Sequence, residues 1–150
     1  MWLDAVLAYL HYTAIFFLVG FLGVELLLIR GVLDVRAVRL LGKIDVALAL
    51  SAVAALVTGG LRLVYGVKGP HFYLDHWPFY MKLGLFVAVG LISVYPTLAF
   101  IRWRRMQERE AKWQVPEDQR SRVKRVILLM VHLAAMIPVF AVVMSRGLGQ

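Results

Sequence analysis

His11, Arg62 and Lys82 are nitrogen-bearing side chains within or at the ends of long apolar stretches, where ionisable groups are rare and usually serve a function. A histidine in such a place acts as a hydrogen-bonded core residue, a metal or heme ligand, or a proton relay. His132, in the last apolar stretch, is open to the same three readings. Arg and Lys at one depth suit an anionic ligand, because they bring positive charge and N–H donors to carboxylates. Glu25 adds a carboxylate to the first stretch. With Asp4 and His11 it forms a stripe: at about 100° per residue, the 7-residue step to His11 and the 14-residue step on to Glu25 return to nearly one azimuth.

Other chemistries have no foothold. With no cysteine, the chain offers no disulfide, thiolate-bound zinc, iron–sulfur cluster or covalent heme attachment. His71 and His76 match no zinc signature, and no GxSxG, Walker A or GxGxxG run is present. Basic and aromatic residues do not interleave in a binding stripe, so no nucleic acid partner is expected.

Positioning these residues falls to membrane helices. Hydrophobic residues make up 61% of the 150, and the mean hydropathy is +0.76, more than a soluble domain can bury. Residues 3–29, 44–65, 79–101 and 126–145 each have roughly the length that crosses a hydrocarbon core. Lipid cannot satisfy an open backbone, so all four must be helical. The expectation is an all-α integral membrane four-helix bundle, a single domain over residues 1–150. The first stretch lacks a basic flank and outruns the apolar part of a signal peptide, so it reads as a retained helix.

Charge sets the orientation. The connections 30–43 and 102–125 carry 13 of the 17 basic residues, which makes them cytoplasmic by the positive-inside bias. Both termini and the connection 66–78 then lie outside, on the periplasmic face of a bacterial inner membrane. The outer connection, GVKGPHFYLDHWPF, reads as an aromatic turn that caps the bundle. The longer inner one reads as two helix extensions around Pro116, its charges facing water and lipid headgroups.

Helix rise converts position into depth and sorts the polar residues into two layers. His11, about 10 Å below Asp4 on that rise, joins Arg62 and Lys82 in an outer layer, with His71, His76, Tyr80, Tyr9, Tyr12, Tyr65 and Asp75 nearby. Glu25, Arg30, Asp45, Tyr95, Arg125 and His132 fall in an inner layer, where the simplest partner for Glu25 is a cytoplasmic-side Arg. Small residues Ala47, Ser51, Ala54 and Thr58 form a seam leading to Arg62, along which a neighbouring helix can approach closely. His11 and His132 differ in depth, so a heme held by both is not expected. His11 with His71 or His76, or with no sixth ligand, fits better.

Across nearly the whole chain the sequence resembles a bacterial family of predicted four-helix membrane proteins of unknown function. The resemblance rests on AYLHYTAIFFLVGFLGVELLLIR, TGGLRLVYGVKGPHFYLDHWPFYMKLGLF and SVYPTLAFIRWRR. More distantly, it resembles the four-helix, heme-binding protoporphyrinogen oxidase of bacteria. That family shares a first-helix His with a basic residue at the inner end, and an aromatic-plus-Lys-Leu opening of the third helix. These map to His11, Arg30, and Trp77 with Lys82 and Leu83; where the oxidase pattern has a His just before the Lys, this chain has Tyr80. The resemblance implies a tetrapyrrole role for His11 and Lys82.

The sequence therefore leads to a multi-pass inner-membrane protein that binds heme b or a related porphyrin near the outer leaflet. His11 is the candidate axial ligand and His132 a lesser one, Arg62 and Lys82 anchor carboxylates, and His76 and Tyr80 complete the site. Lys82 is the candidate catalytic residue if the chain is an oxidoreductase that passes electrons from a reduced porphyrin to quinone. The competing expectation is a non-catalytic structural or assembly subunit of a larger membrane complex or homo-oligomer, with polar layers as internal glue.

Overall fold

The structure, a computed structural model, describes residues 2–67, 69–110 and 112–146. These form five helices: α1 (Trp2–Arg30), α2 (Val35–Tyr65), α3 (Gly69–Leu74), α4 (Trp77–Arg109) and α5 (Glu117–Ser145), with no strand among the described residues. All but the short α3 are long and apolar enough to cross a membrane. Their outward faces carry side chains such as Phe16, Leu27, Leu50, Leu91 and Leu98, an apolar surface that only a lipid solvent accommodates.

Around the bundle α1 packs on α2, α2 on α4, α4 on α5 and α5 back on α1, so each long helix has two antiparallel neighbours. The short helix α3 packs against α2 and α4 at the end where α1 begins.

Local chemistry sets the helix ends. The Asp34 carboxylate accepts from the Ala37 N–H at 2.7 Å and caps α2, which therefore starts at Val35 rather than at residue 44. The connection expected over 30–43 shrinks to Gly31–Asp34. Likewise α4 runs on to Arg109, past residue 101, and α5 starts at Glu117, directly after Pro116, rather than at 126. Hydropathy ends where charge begins, whereas a helix ends where its backbone is capped or broken.

The best-enclosed packing gathers at the end rich in basic residues. There Ile29, Val38, Leu41, Phe100, Trp103, Val123 and Ile127 are almost fully buried against one another. Toward the opposite end burial thins to single residues such as Leu7, Ala14, Ala55 and Met144.

Arg120 ties this end together. Its Nε donates to the Ile29 carbonyl at 2.9 Å and its Nη2 to the Arg30 carbonyl at 2.7 Å, satisfying two acceptors that the last turn of α1 leaves free. Arg120→Met is expected to cost about 1.5–3 kcal/mol, the range for hydrogen bonds to charged groups. The readout is a lower thermal midpoint in detergent. Arg122→Met, which removes only an exposed 3.7 Å pair with Asp118, is expected to leave the midpoint nearly unchanged.

Candidate functional site

His11 sits half-buried on the face of α1 that packs against α2. Its Nδ1 lies 3.1 Å from Thr58 Oγ1, while the Thr58 hydroxyl donates to the Ala54 carbonyl at 2.6 Å. A hydroxyl has one hydrogen. When that hydrogen goes to Ala54, Oγ1 accepts from His11, which puts the proton of a neutral imidazole on Nδ1 and leaves the lone pair on Nε2. The ring also lies close along α2: a Cβ on Gly59 would stand 3.1 Å from His11 Cε1. A glycine at this position allows that approach.

Arg62 and Lys82 converge on the same region, near enough to each other and to His11 for their charges to interact. Among the described residues neither has a carboxylate partner. Arg62 Cζ lies 5.3 Å from the Tyr12 ring centroid, and Lys82 Nζ lies 5.3 Å from that of Phe79. An aromatic face is an electrostatic surrogate for an anion, but it does not neutralise a cation. Arg62 Nε is buried and has no hydrogen-bond partner. Among the described residues the ion pairs are Arg104–Glu108, Arg120–Glu117 and Arg122–Asp118, all at the other end of the bundle. Asp4 turns elsewhere: its Oδ1 accepts from the Val67 N–H at 3.4 Å, bracing the chain where α2 ends.

The remaining expected residues have distinct places. His76 is buried just before α4, its ring 4.9 Å from that of Phe72, and neither ring nitrogen has a hydrogen-bond partner. The Tyr80 hydroxyl donates to the Leu74 carbonyl at 3.0 Å and fastens α3 to α4. His71 is exposed on α3. His132 is exposed on α5, with Nδ1 2.6 Å from the Leu128 carbonyl of its own helix.

One expectation is overturned. Glu25 has no Arg partner; it is fully enclosed, and the group it faces is the Asp45 carboxyl of α2. Both residues belong to the buried faces of their helices, Leu22–Glu25–Ile29 and Leu41–Asp45–Leu48, so the packing that buries these faces brings the carboxyls together. At this end Arg104, Arg120, Arg122 and Arg125 serve other acceptors. Sequence reasoning also missed the parts played by Thr58 and Thr97. Thr58 was legible only as a small seam residue, and Thr97, whose Oγ1 lies 2.9 Å from Asp45 Oδ1, only as part of the SVYPT run.

An all-helical chain with four apolar spans and a polar cluster toward each end defines a small polytopic membrane protein. The chain belongs to the family described as predicted membrane protein (DUF2214), whose model matches residues 3–149. No curated protein and no solved structure matches it.

Proposed function

We propose that this chain binds heme b, or a closely related tetrapyrrole, beside α1, α2 and α4 toward the end where α1 begins, and that His11 would supply the imidazole nitrogen that holds it. The hydrogen-bond relay from His11 through Thr58 to Ala54 carries this reading. A metal-binding histidine characteristically donates its other ring N–H to a fixed acceptor, which orients the ring and raises its basicity. The unneutralised cations support it further. Arg62 and Lys82 supply two positive groups where a tetrapyrrole carries two carboxylates, and the buried Arg62 Nε has a donor to spare. His76, with both ring nitrogens free, is a second imidazole near that end of the bundle.

When bound, heme supplies one-electron redox chemistry. The protein residues would bind and orient it: His11 would hold the metal, Arg62 and Lys82 would hold the carboxylates, and the apolar flanks would exclude water. With the basic connections on the cytoplasmic side, as the positive-inside bias favours, this site would lie in the outer leaflet of a bacterial inner membrane. An oxidase-like role, taking electrons from a reduced porphyrin for delivery to quinone, extends the reading and rests on the resemblance alone.

Absorption spectroscopy of the detergent-purified protein, before and after titration with hemin, tests the proposal. A Soret band that saturates at one heme per chain is expected. A titration indistinguishable from hemin in empty detergent micelles overturns it.

A further inference from the structure

The second polar cluster has a chemistry of its own. Glu25 is fully enclosed, and neither carboxyl oxygen receives a hydrogen bond from any N–H or O–H donor. Asp45, also buried, faces it within hydrogen-bonding reach. If both were ionised, two like charges within hydrogen-bonding reach would repel strongly, with no water shell around Glu25 to screen them. One proton converts that repulsion into a strong O–H···O bond.

The surroundings offer nothing else to balance two charges. On α1 the neighbours one turn away are Leu22 and Ile29, and on α2 they are Leu41 and Leu48. From α4 the polar groups facing the pair are the Thr97 and Ser93 hydroxyls, and α5 contributes the apolar Met130 and Ala134 to the same region. No Lys, Arg or His among the described residues makes an ion pair with either carboxyl. Nor do the described residues include a group of three or more His, Cys, Asp or Glu that could hold a metal ion.

We propose that Glu25 and Asp45 form a buried proton-binding pair that holds one proton between two carboxyl groups, with the proton on Glu25 and the negative charge on Asp45. Thr97 assigns the roles. Its single hydroxyl hydrogen has two acceptors, each at 2.9 Å, Asp45 Oδ1 and the Ser93 carbonyl. Directed at Asp45, it stabilises a carboxylate there, whereas Glu25, with no donor at all, is the member suited to carry the proton and donate it. Redirected to Ser93, the same hydroxyl lets Asp45 become neutral.

Beside the pair there is also space for water. Asp45, Thr97 and Ser93 line a cavity of about 80 Å³ whose other walls are apolar residues of α1, α2, α4 and α5. At about 30 Å³ per molecule, that is room for roughly two waters, enough to pass a proton to Asp45. The inference is independent of the tetrapyrrole reading: Glu25 is 14 residues from His11 along α1, a rise of about 21 Å.

Infrared spectroscopy of the full-length protein in detergent, in H2O and D2O, reads the proton directly through the carbonyl stretch of a protonated carboxylic acid. At neutral pH the wild type is expected to show this band for one carboxyl, shifted by deuteration. Glu25→Gln, nearly isosteric, should abolish it, and Asp45→Asn should move it, because the hydrogen-bond partner changes from carboxylate to amide. Absence of the band in the wild type, its survival in Glu25→Gln, or its displacement by sodium chloride but not choline chloride at constant pH would overturn the proposal. The last outcome would make the pair a sodium site. The wild-type arm needs no variant, so a variant that misfolds leaves the test intact.

Discussion

His11→Ala is expected to abolish the Soret absorption that hemin develops with the wild-type protein, at hemin concentrations that saturate the wild type. The substitution removes the only side chain of α1 that offers a nitrogen lone pair toward α2, and it leaves Arg62 and Lys82 to hold the ligand's acidic edge alone. Loss of the band with retention of the thermal midpoint identifies a ligand, whereas loss of the midpoint identifies a packing residue. Thr58→Val sharpens the distinction. It keeps the imidazole and the shape of the seam but removes the acceptor of the His11 Nδ1 proton. Losing the hydrogen-bond partner of a metal-binding histidine weakens metal affinity by about 10–100-fold, so the band should persist with a correspondingly raised dissociation constant.

The largest loss of stability is expected from Trp103→Ala. This side chain is fully buried, lies tilted against Phe100 with ring centroids 5.7 Å apart, and donates its indole N–H to Gln119 Oε1 at 2.9 Å. Emptying such a site costs about 3–5 kcal/mol in soluble cores. The same range is expected here because Trp103 joins α4 to α5 in the best-packed part of the bundle. Trp103→Phe keeps most of the volume and loses the hydrogen bond, for an expected cost nearer 1 kcal/mol from the bond itself. Unfolding in mixed detergent micelles measures both, and the ordering Ala well below Phe below wild type is the expected result.

Much of the architecture was legible because hydropathy reports what lipid tolerates. The four spans, the short cap in the outer connection and the two helix extensions flanking Pro116 all follow from composition and turn chemistry. The early start of α2 was not read, although Asp34 is a recognisable cap, because charged residues from Arg36 to Lys43 hid a continuing helix behind a polar composition. At the sites, depth was legible and azimuth was not. Counting residues put His11, Arg62 and Lys82 at one level and Glu25 with Asp45 at another. It could not tell that Glu25 faces a second carboxyl. The signal was present in the apolar stripes: Glu25 stands three residues after Leu22 and four before Ile29, and Asp45 stands four after Leu41 and three before Leu48. A carboxyl in each of two facing stripes is a pairing that depth alone does not reveal.

The uneven distribution of buried residues means that the two halves of this bundle fold in different solvents. Trp103 is 26 residues beyond the start of α4, a rise of about 39 Å, while a hydrocarbon core is about 30 Å thick. With the hydrocarbon taken to begin at the start of α4, the enclosed cluster around it would lie in the headgroup and aqueous region, where exclusion from water drives association. The half that holds His11 lies in hydrocarbon, where apolar side chains gain nothing by leaving their solvent and helices adhere only through close packing and polar contacts. One end thus acts as a thermodynamic anchor and the other as a compliant sleeve. Cohesion there comes from small-residue seams and polar links, the same groups that line the proposed binding site, so a ligand bound there would also change how tightly the sleeve holds together.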